Sequence, residues 1–221
     1  MNFPRALLVL SLLAAASVFA QEDERVPPPT WDEVIAGGVL PYRQLKLEDI
    51  PVNDAMRSQG AFRMLPTIEP RFHVYVTPGD DEFHAHINQW YVFSGLDAKN
   101  SFRKSGSESM SAELAYAQAL LDLNEIHARK LAALTAEQLP QATAKTPLDA
   151  KAAVEQKLKE FLDQKLAERQ AEMKAFATAT KNGQDRKKVT QLAGDIRKRL
   201  EATPAATVPY IPAAGATKSN P

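Results

Sequence analysis

The residues able to do chemistry are few in this chain of 221 residues, which has four histidines and no cysteine. His84 and His86 form a His-x-His pair. Because alternate residues of a strand point to the same face, the two imidazoles could supply two metal ligands. The pair lacks the spaced third His or Cys that zinc sites usually add. We therefore interpret it as polar residues on a solvated sheet face, and keep a zinc site completed by an acidic residue as the alternative.

The two histidines fall in the second strand of a predicted hairpin. RFHVYVT at 71–77 alternates apolar and polar residues, PGDDE at 78–82 is a turn cluster, and FHAHINQWYVF at 83–93 alternates again. The apolar residues expected to share a face are Phe72, Val74 and Val76 of the first strand, and Phe83, Ala85, Ile87, Tyr91 and Phe93 of the second.

The register of this hairpin decides whether a third histidine can join the pair. If Thr77 pairs with Phe83, His86 lies opposite Val74, and His73 lies on the other face of the sheet. A slip of one residue would instead put His73 beside His86.

A helix is predicted from 111 to about 134 by apolar residues at three- and four-residue steps. Within it, AYAQALLDLNEIHARKL at 115–131 has the length and spacing of a zinc-binding helix. In such a helix two histidines at i and i+4 bind one zinc, and a glutamate after the first acts as general base. Here Tyr116 and Leu120 occupy the histidine positions, and Ala117 occupies the glutamate position.

This helix resembles that of a bacterial family of predicted secreted zinc-dependent proteases, a domain of unknown function whose helix reads approximately LLAHEQGHFDIAEIYARKL. Laid on this chain, the family's two histidines fall on Tyr116 and Leu120, and its catalytic glutamate falls on Ala117. The residues that match are Gln118, Asp122, Glu125, Ile126, Ala128, Arg129, Lys130 and Leu131.

The resemblance extends to both sides of the helix. YRQLKLEDI at 42–50 is similar to a family strand, YRRLTWDDF, and Ser101-Phe102 stands where the family has Ser-Trp before the helix. FATATKNG at 176–183 is similar to YDEETDHG, whose histidine is a candidate third zinc ligand and falls on Asn182. The similar segments keep the family's order and spacing over roughly 42–200.

The resemblance implies a zinc-protease-like scaffold whose ligands and base are all replaced. Leucine has no lone pair, phenol is a poor ligand at neutral pH, and alanine cannot abstract a proton. We therefore expect a non-catalytic protein, a pseudoenzyme without a cofactor, that binds an unknown protein or peptide partner. The degenerate motif positions are Tyr116, Ala117, Leu120 and Asn182.

Two alternatives stay open. The chain could be an active metal-dependent hydrolase or peptidase with zinc relocated to His84 and His86. It could also be an unrelated helical periplasmic protein, because Ala/Leu-rich helices have repetitive composition and match one another by chance. Other hydrolase chemistry has no local signature, since neither G-x-S-x-G nor a phosphate-binding loop occurs.

The charges of the chain balance, with 27 Lys and Arg against 27 Asp and Glu. The basic runs at 186–188 and 197–199 are therefore expected on solvated helix faces, and no nucleic-acid partner is expected. Glu125 and Arg129, at i and i+4, should form a surface ion pair, and His127 should be a half-buried helix residue.

The N-terminal residues 1–20 are typical of a signal peptide, with Arg5 before a short apolar run and with Val18 and Ala20 at the cleavage positions. We expect a periplasmic or secreted protein, without a stable membrane anchor after cleavage. Residues 21–30 should be an extended polar lead-in, 31–202 a single metalloprotease-like domain, and 203–221 a disordered Ala/Pro-rich tail.

Strand patterns before about residue 106 and helical patterns after it predict an α+β domain. A small antiparallel β unit at the N-terminus should pack against two to three long C-terminal helices. The second long helix should end or kink at 181–183, where Asn182 and Gly183 tolerate a left-handed backbone. A last helix should run from about 186 to 200.

Overall fold

A computed structural model of the chain describes residues 27–55, 62–106, 111–205 and 208. The predicted signal peptide lies outside these residues, as do 21–26 of the lead-in and most of the predicted tail. The helices are α1 (Trp31–Ala36), α2 (Ser111–Ala132), α3 (Pro147–Ala179) and α4 (Arg186–Ala202). The strands are β1 (Val39–Pro41), β2 (Phe62–Arg63), β3 (Pro66–Pro78), β4 (Phe83–Asp97), β5 (Phe102–Arg103) and β6 (Gln141–Ala144).

Antiparallel strands followed by long helices confirm the predicted α+β class. β4 is the centre of the main sheet. It pairs with β3 along one edge, and with β1 and β6 at opposite ends of its other edge. β2 and β5 form a separate two-stranded ribbon. No helix in the described part of the chain is long and apolar enough to cross a membrane.

The hairpin register differs by one residue from the pairing of Thr77 with Phe83 considered above. Pro78 pairs with Phe83, because the turn is closed by a hydrogen bond of 2.7 Å from the Gly79 N–H to the Glu82 carbonyl. His86 therefore lies opposite Tyr75, and Thr77 lies opposite His84.

A β-bulge in β4 reverses the faces of the strand. Val74 pairs with Ile87 but His73 pairs with Gln89, which leaves Asn88 as an extra residue. One extra residue moves every later side chain to the opposite face.

The predicted common face of β4 is therefore wrong beyond Ile87. Ala85 packs under α3 against Ala150 and Val154, and Ile87 packs against Leu158 of the same helix. Tyr91 and Phe93 instead pack against α1 on the far side of the sheet, with the Trp31 and Phe93 rings edge to face at 4.9 Å.

Helices α3 and α4 begin at local capping residues. Thr146 caps α3 by accepting the Asp149 N–H at 3.1 Å, and Asp185 caps α4 by accepting the Lys188 N–H at 3.0 Å. Helix α3 ends before Lys181, Asn182 and Gly183, whose φ angles of 49°, 54° and 88° are left-handed. This confirms the predicted helix end at 181–183.

The ion pair between Glu125 and Arg129 is buried, so its predicted surface position is wrong. Glu125 is 2% exposed and Arg129 17%, with 2.8 Å between Nε and Oε1. Arg129 also donates to the carbonyls of Leu200 at 3.2 Å and Thr203 at 3.0 Å. The end of α4 packs over the face of α2 that carries this ion pair. The spacing of residues within α2 alone does not predict this packing.

Candidate functional site

A cavity lies where the start of α2 faces the turn between α3 and α4. Its volume is about 520 Å³. Tyr116 and Asn182, two of the four positions that the resemblance assigns to zinc ligands or base, both line it. The complete lining is Phe62, Ala112, Glu113, Tyr116, Asn182, Gly183, Gln184 and Arg186.

Tyr116 forms one wall of this cavity. Its ring stacks on Phe176 of α3, with centroids 5.4 Å apart and an interplanar angle of 15°. Tyr116 also lies against Gly183, where an added Cβ would approach Tyr116 Cγ to 3.0 Å. Burial raises the pKa of the Tyr116 phenol above its ordinary value of 10.0. The neutral phenol can therefore donate a hydrogen bond but is not a phenolate ligand at neutral pH.

The turn that carries Asn182 is held by its own backbone. The Asn182 N–H donates to the Ala177 carbonyl at 2.7 Å, and the Asp185 N–H donates to the Thr180 carbonyl at 3.0 Å. The hydroxyl of Thr180 is buried and donates to the Phe176 carbonyl at 2.8 Å. The left-handed backbone of Asn182 is thus defined by the surrounding structure.

The other two motif positions do not line this cavity. Ala117 is fully buried in a core cluster with Leu45, Ile50 and Met64. Leu120 is half-buried and packs against that cluster and against the cluster between α2 and α4. The tertiary structure therefore brings together two of the four positions and places the other two in apolar packing.

Oppositely charged side chains stand at the cavity as well. Glu113 comes from the first turn of α2, and Arg186 is the first residue of α4. Both are exposed. Sequence reasoning missed Glu113 and Phe62, and it assigned Arg186 only to a basic run, because no spacing rule connects three separate elements of the chain.

His84 and His86 line a second cavity, of about 240 Å³, beside β6 and Lys157. The His86 ring is edge to face with Tyr75 at 5.6 Å. The Lys157 ammonium donates to the Gln141 carbonyl at 3.0 Å. The charged residue that lines this cavity beside the two histidines is therefore a cation, which does not serve as a third zinc ligand.

The one-residue shift in register puts His73 on the same face of the sheet as His86, because His73 shares a face of β3 with Tyr75, which lies opposite His86. The Nδ1 of His73 lies 3.1 Å from Asn88 Oδ1. Among residues 27–55, 62–106, 111–205 and 208, no group of three or more His, Cys, Asp or Glu could hold a metal ion.

Tyr42, Gln118 and Asp122 form a largely buried polar network between the segment after β1 and α2. The Tyr42 hydroxyl donates to Asp122 Oδ1 at 2.9 Å, and Gln118 Nε2 donates to the same oxygen at 2.6 Å. Gln118 Oε1 accepts the Leu45 N–H at 2.6 Å. Burial and the Asp122 charge raise the pKa of Tyr42. These residues fix the segment after β1 against α2, which explains their presence in structural terms.

Comparisons of the chain with models of protein families, with curated proteins and with solved structures found no match. Its function is therefore inferred from its own residues and geometry.

Proposed function

We propose that this chain is a periplasmic or secreted, non-catalytic protein on a zinc-protease-like scaffold, which binds a segment of a protein or peptide in the cavity lined by Tyr116 and Asn182. The observation that carries the proposal is that these two positions, distant in sequence, line one cavity. They are also positions where the family resemblance expects zinc ligands.

The packing around α2 supports this scaffold. The main sheet packs on α2 through Val92 and Ile68, which share a cluster with Ala128 and Leu131. A purely helical protein would lack this packing of a helix on a sheet. The buried polar partners of Gln118 and Asp122 add a structural reason for these motif residues to persist without a metal.

The side chains at the cavity do not fit a zinc ion. A neutral phenol and a carboxamide are weak ligands, and Leu120 is packed in an apolar cluster. The same groups fit a peptide, because the phenol and the Asn182 amide can bond to main-chain groups while Phe62 and Tyr116 offer apolar surface. A volume of about 520 Å³ lies within the range of small-ligand pockets.

Peptide selection on the mature chain, residues 21–221, tests the proposal directly. Peptides selected from a random display library would be measured by calorimetry against the parent chain and the Ala112→Trp variant, which places an indole at the cavity. Ala152→Trp, on an exposed site of α3, is the matched control. We expect Ala112→Trp to weaken binding at least about tenfold and Ala152→Trp to leave it unchanged. Equal binding by both variants would place the peptide elsewhere.

Restoring ligands tests the scaffold separately. The variant Tyr116→His, Leu120→His, Asn182→His should take up close to one zinc per folded chain, and the parent less than about a tenth. Ala117→Glu is omitted because a carboxylate in that core cluster would be buried without a partner. A folded triple variant that takes up no zinc would contradict the alignment of α2 with the turn at Asn182.

The relocated zinc site is the second candidate, because His84 and His86 do line one cavity. It predicts about one zinc in the parent chain, purified without tag histidines, and loss of that zinc and of hydrolase activity in His86→Ala. A parent chain without zinc would reject this candidate.

A further inference from the structure

A further cavity lies between α2, α4 and the segment after β1, with Asp122 and Arg197 in its lining. This Asp122 cavity has a volume of about 270 Å³ and shares no lining residue with the cavity at Tyr116. Pockets for drug-sized ligands usually begin at about 300 Å³, so the Asp122 cavity suits a smaller molecule.

Asp122 brings a buried carboxylate to this cavity. The residue is only 3% exposed. The Tyr42 hydroxyl and Gln118 Nε2 both donate to its Oδ1 atom, at 2.9 Å and 2.6 Å, and both donors are neutral groups. Among the described residues, none donates a hydrogen bond to Oδ2 and no cation pairs with the carboxylate. Because a buried carboxylate without a cation is unfavourable, this group suits a cation that enters the cavity.

Small residues on both helices leave room in front of the carboxylate. Ala115 and Ala119 line the cavity from α2, and Ala193 and Gly194 line it from α4. A Cβ added at Gly194 would have no described atom within 4 Å, apart from the backbone of its own helix. Neither a left-handed backbone nor close packing therefore requires glycine at this position of α4. Its missing side chain keeps the cavity open.

A guanidinium lines the same cavity. Arg197 is exposed, and its Nη2 donates to Gln44 Oε1 at 3.0 Å, which uses one of the several N–H groups of the guanidinium. A simple cation that entered to reach Asp122 would also meet this positive charge. A ligand that carries a carboxylate as well as an ammonium avoids that repulsion, since arginine binds carboxylates through charge-assisted hydrogen bonds.

We propose that the Asp122 cavity is a binding site for a small zwitterion of the amino-acid class. Asp122 Oδ2 accepts the primary ammonium of the ligand, and Arg197 binds its carboxylate. The two charges of the lining thus match the two charges of the ligand, and the small volume limits the length of the ligand. The proposal does not rest on peptide binding at Tyr116, because the two cavities have separate linings.

NMR titration of the mature chain tests the site with four small probes. L-alanine and β-alanine carry both charges, propylamine carries only the ammonium, and propionate carries only the carboxylate. Three variants accompany the parent chain. Asp122→Asn removes the charge but retains an Oδ1 acceptor for Tyr42 and Gln118. Gly194→Leu places a side chain in the cavity, and Gln191→Leu adds the same side chain at an exposed site of α4 outside the lining.

We expect at least one of the two zwitterions to bind at least about tenfold more tightly than propylamine and propionate. Asp122→Asn and Gly194→Leu should each weaken that binding at least about tenfold, and Gln191→Leu should leave it unchanged. Gly194→Leu should retain the stability of the parent chain in urea unfolding, because leucine favours a helix more than glycine does.

Three results would overturn the proposal. The first is that neither zwitterion shows saturable binding. The second is that propylamine or propionate binds as tightly as the zwitterions, which would leave one of the two charged residues without a role. The third is that a folded Gly194→Leu variant binds the zwitterion as tightly as Gln191→Leu does, which would place the ligand outside the Asp122 cavity.

Discussion

Replacing Gly183 by alanine tests whether the turn between α3 and α4 holds Tyr116 at the cavity. Gly183 has a φ of 88°, and an added Cβ would meet Tyr116 Cγ at 3.0 Å and Tyr116 Cβ at 3.3 Å. The substitution therefore adds a backbone penalty and a steric one. The steric part reports on the position of the tyrosine ring.

The backbone penalty and the steric penalty of Gly183→Ala can be estimated separately. A left-handed backbone costs an alanine about 1–2 kcal/mol, and overpacking against a held ring costs about 1–3 kcal/mol. Gly183→Ala should thus lower the free energy of unfolding by about 2–5 kcal/mol. Gly106 has a φ of 75° but no described atom within 4 Å of an added Cβ, so Gly106→Ala should cost only about 1–2 kcal/mol.

Urea unfolding followed by circular dichroism gives both values, provided that the slope against denaturant is unchanged. In a Tyr116→Ala background, Gly183→Ala should lose most of its steric cost and approach the value for Gly106→Ala. The same loss of stability for the two glycine variants in the parent chain, within about 0.5 kcal/mol, would refute the described contact between the turn and Tyr116.

Three further predictions concern the buried network around Asp122, the ion pair between Glu172 of α3 and Arg199 of α4, and the bulge at Asn88. Tyr42→Phe removes a donor from the buried Asp122 carboxylate and should cost about 1–3 kcal/mol in urea unfolding. The hydrogen bond from Arg199 lowers the pKa of Glu172 below its ordinary value of 4.5. The stability contributed by the Glu172 carboxylate is therefore present above pH 4.5 and is lost as the pH falls through the folded pKa. When unfolding is measured from roughly pH 3 to 7, Glu172→Gln should lose less stability in acid than the parent chain does. Deleting Asn88 should abolish cooperative unfolding or cost more than about 4 kcal/mol, whereas Asn88→Ala should cost less than about 1 kcal/mol; similar values for the two would show that the extra residue does not set the faces of β4.

The long helices were predictable because their signals are local. Apolar residues at helical spacing indicated α2, and Asn182-Gly183 indicated where α3 ends. A helix forms its hydrogen bonds within itself, so a short window of sequence contains most of what decides it.

The faces of the hairpin were less predictable because pairing is not local. Alternation placed Ala85 and Ile87 on a common face, but the bulge at Asn88 moved Tyr91 and Phe93 to the other one. The bulge allows β4 to bury one set of residues under the helices and a second set against α1. Nothing in the alternation of side chains around Asn88 predicts a bulge at this residue.

The cavity at Tyr116 shows the same difference between local and non-local features. The sequence by itself determined the α+β class and the long helices with the end of α3. Only the tertiary structure decided that Tyr116 and Asn182 meet at one cavity, that Ala117 and Leu120 are in apolar packing, and that Asp122 and Arg197 line another cavity. The physical reason is that helix formation and ligand chemistry depend on residue type and near neighbours. A cavity or a strand edge instead depends on which distant elements pack together and in which register.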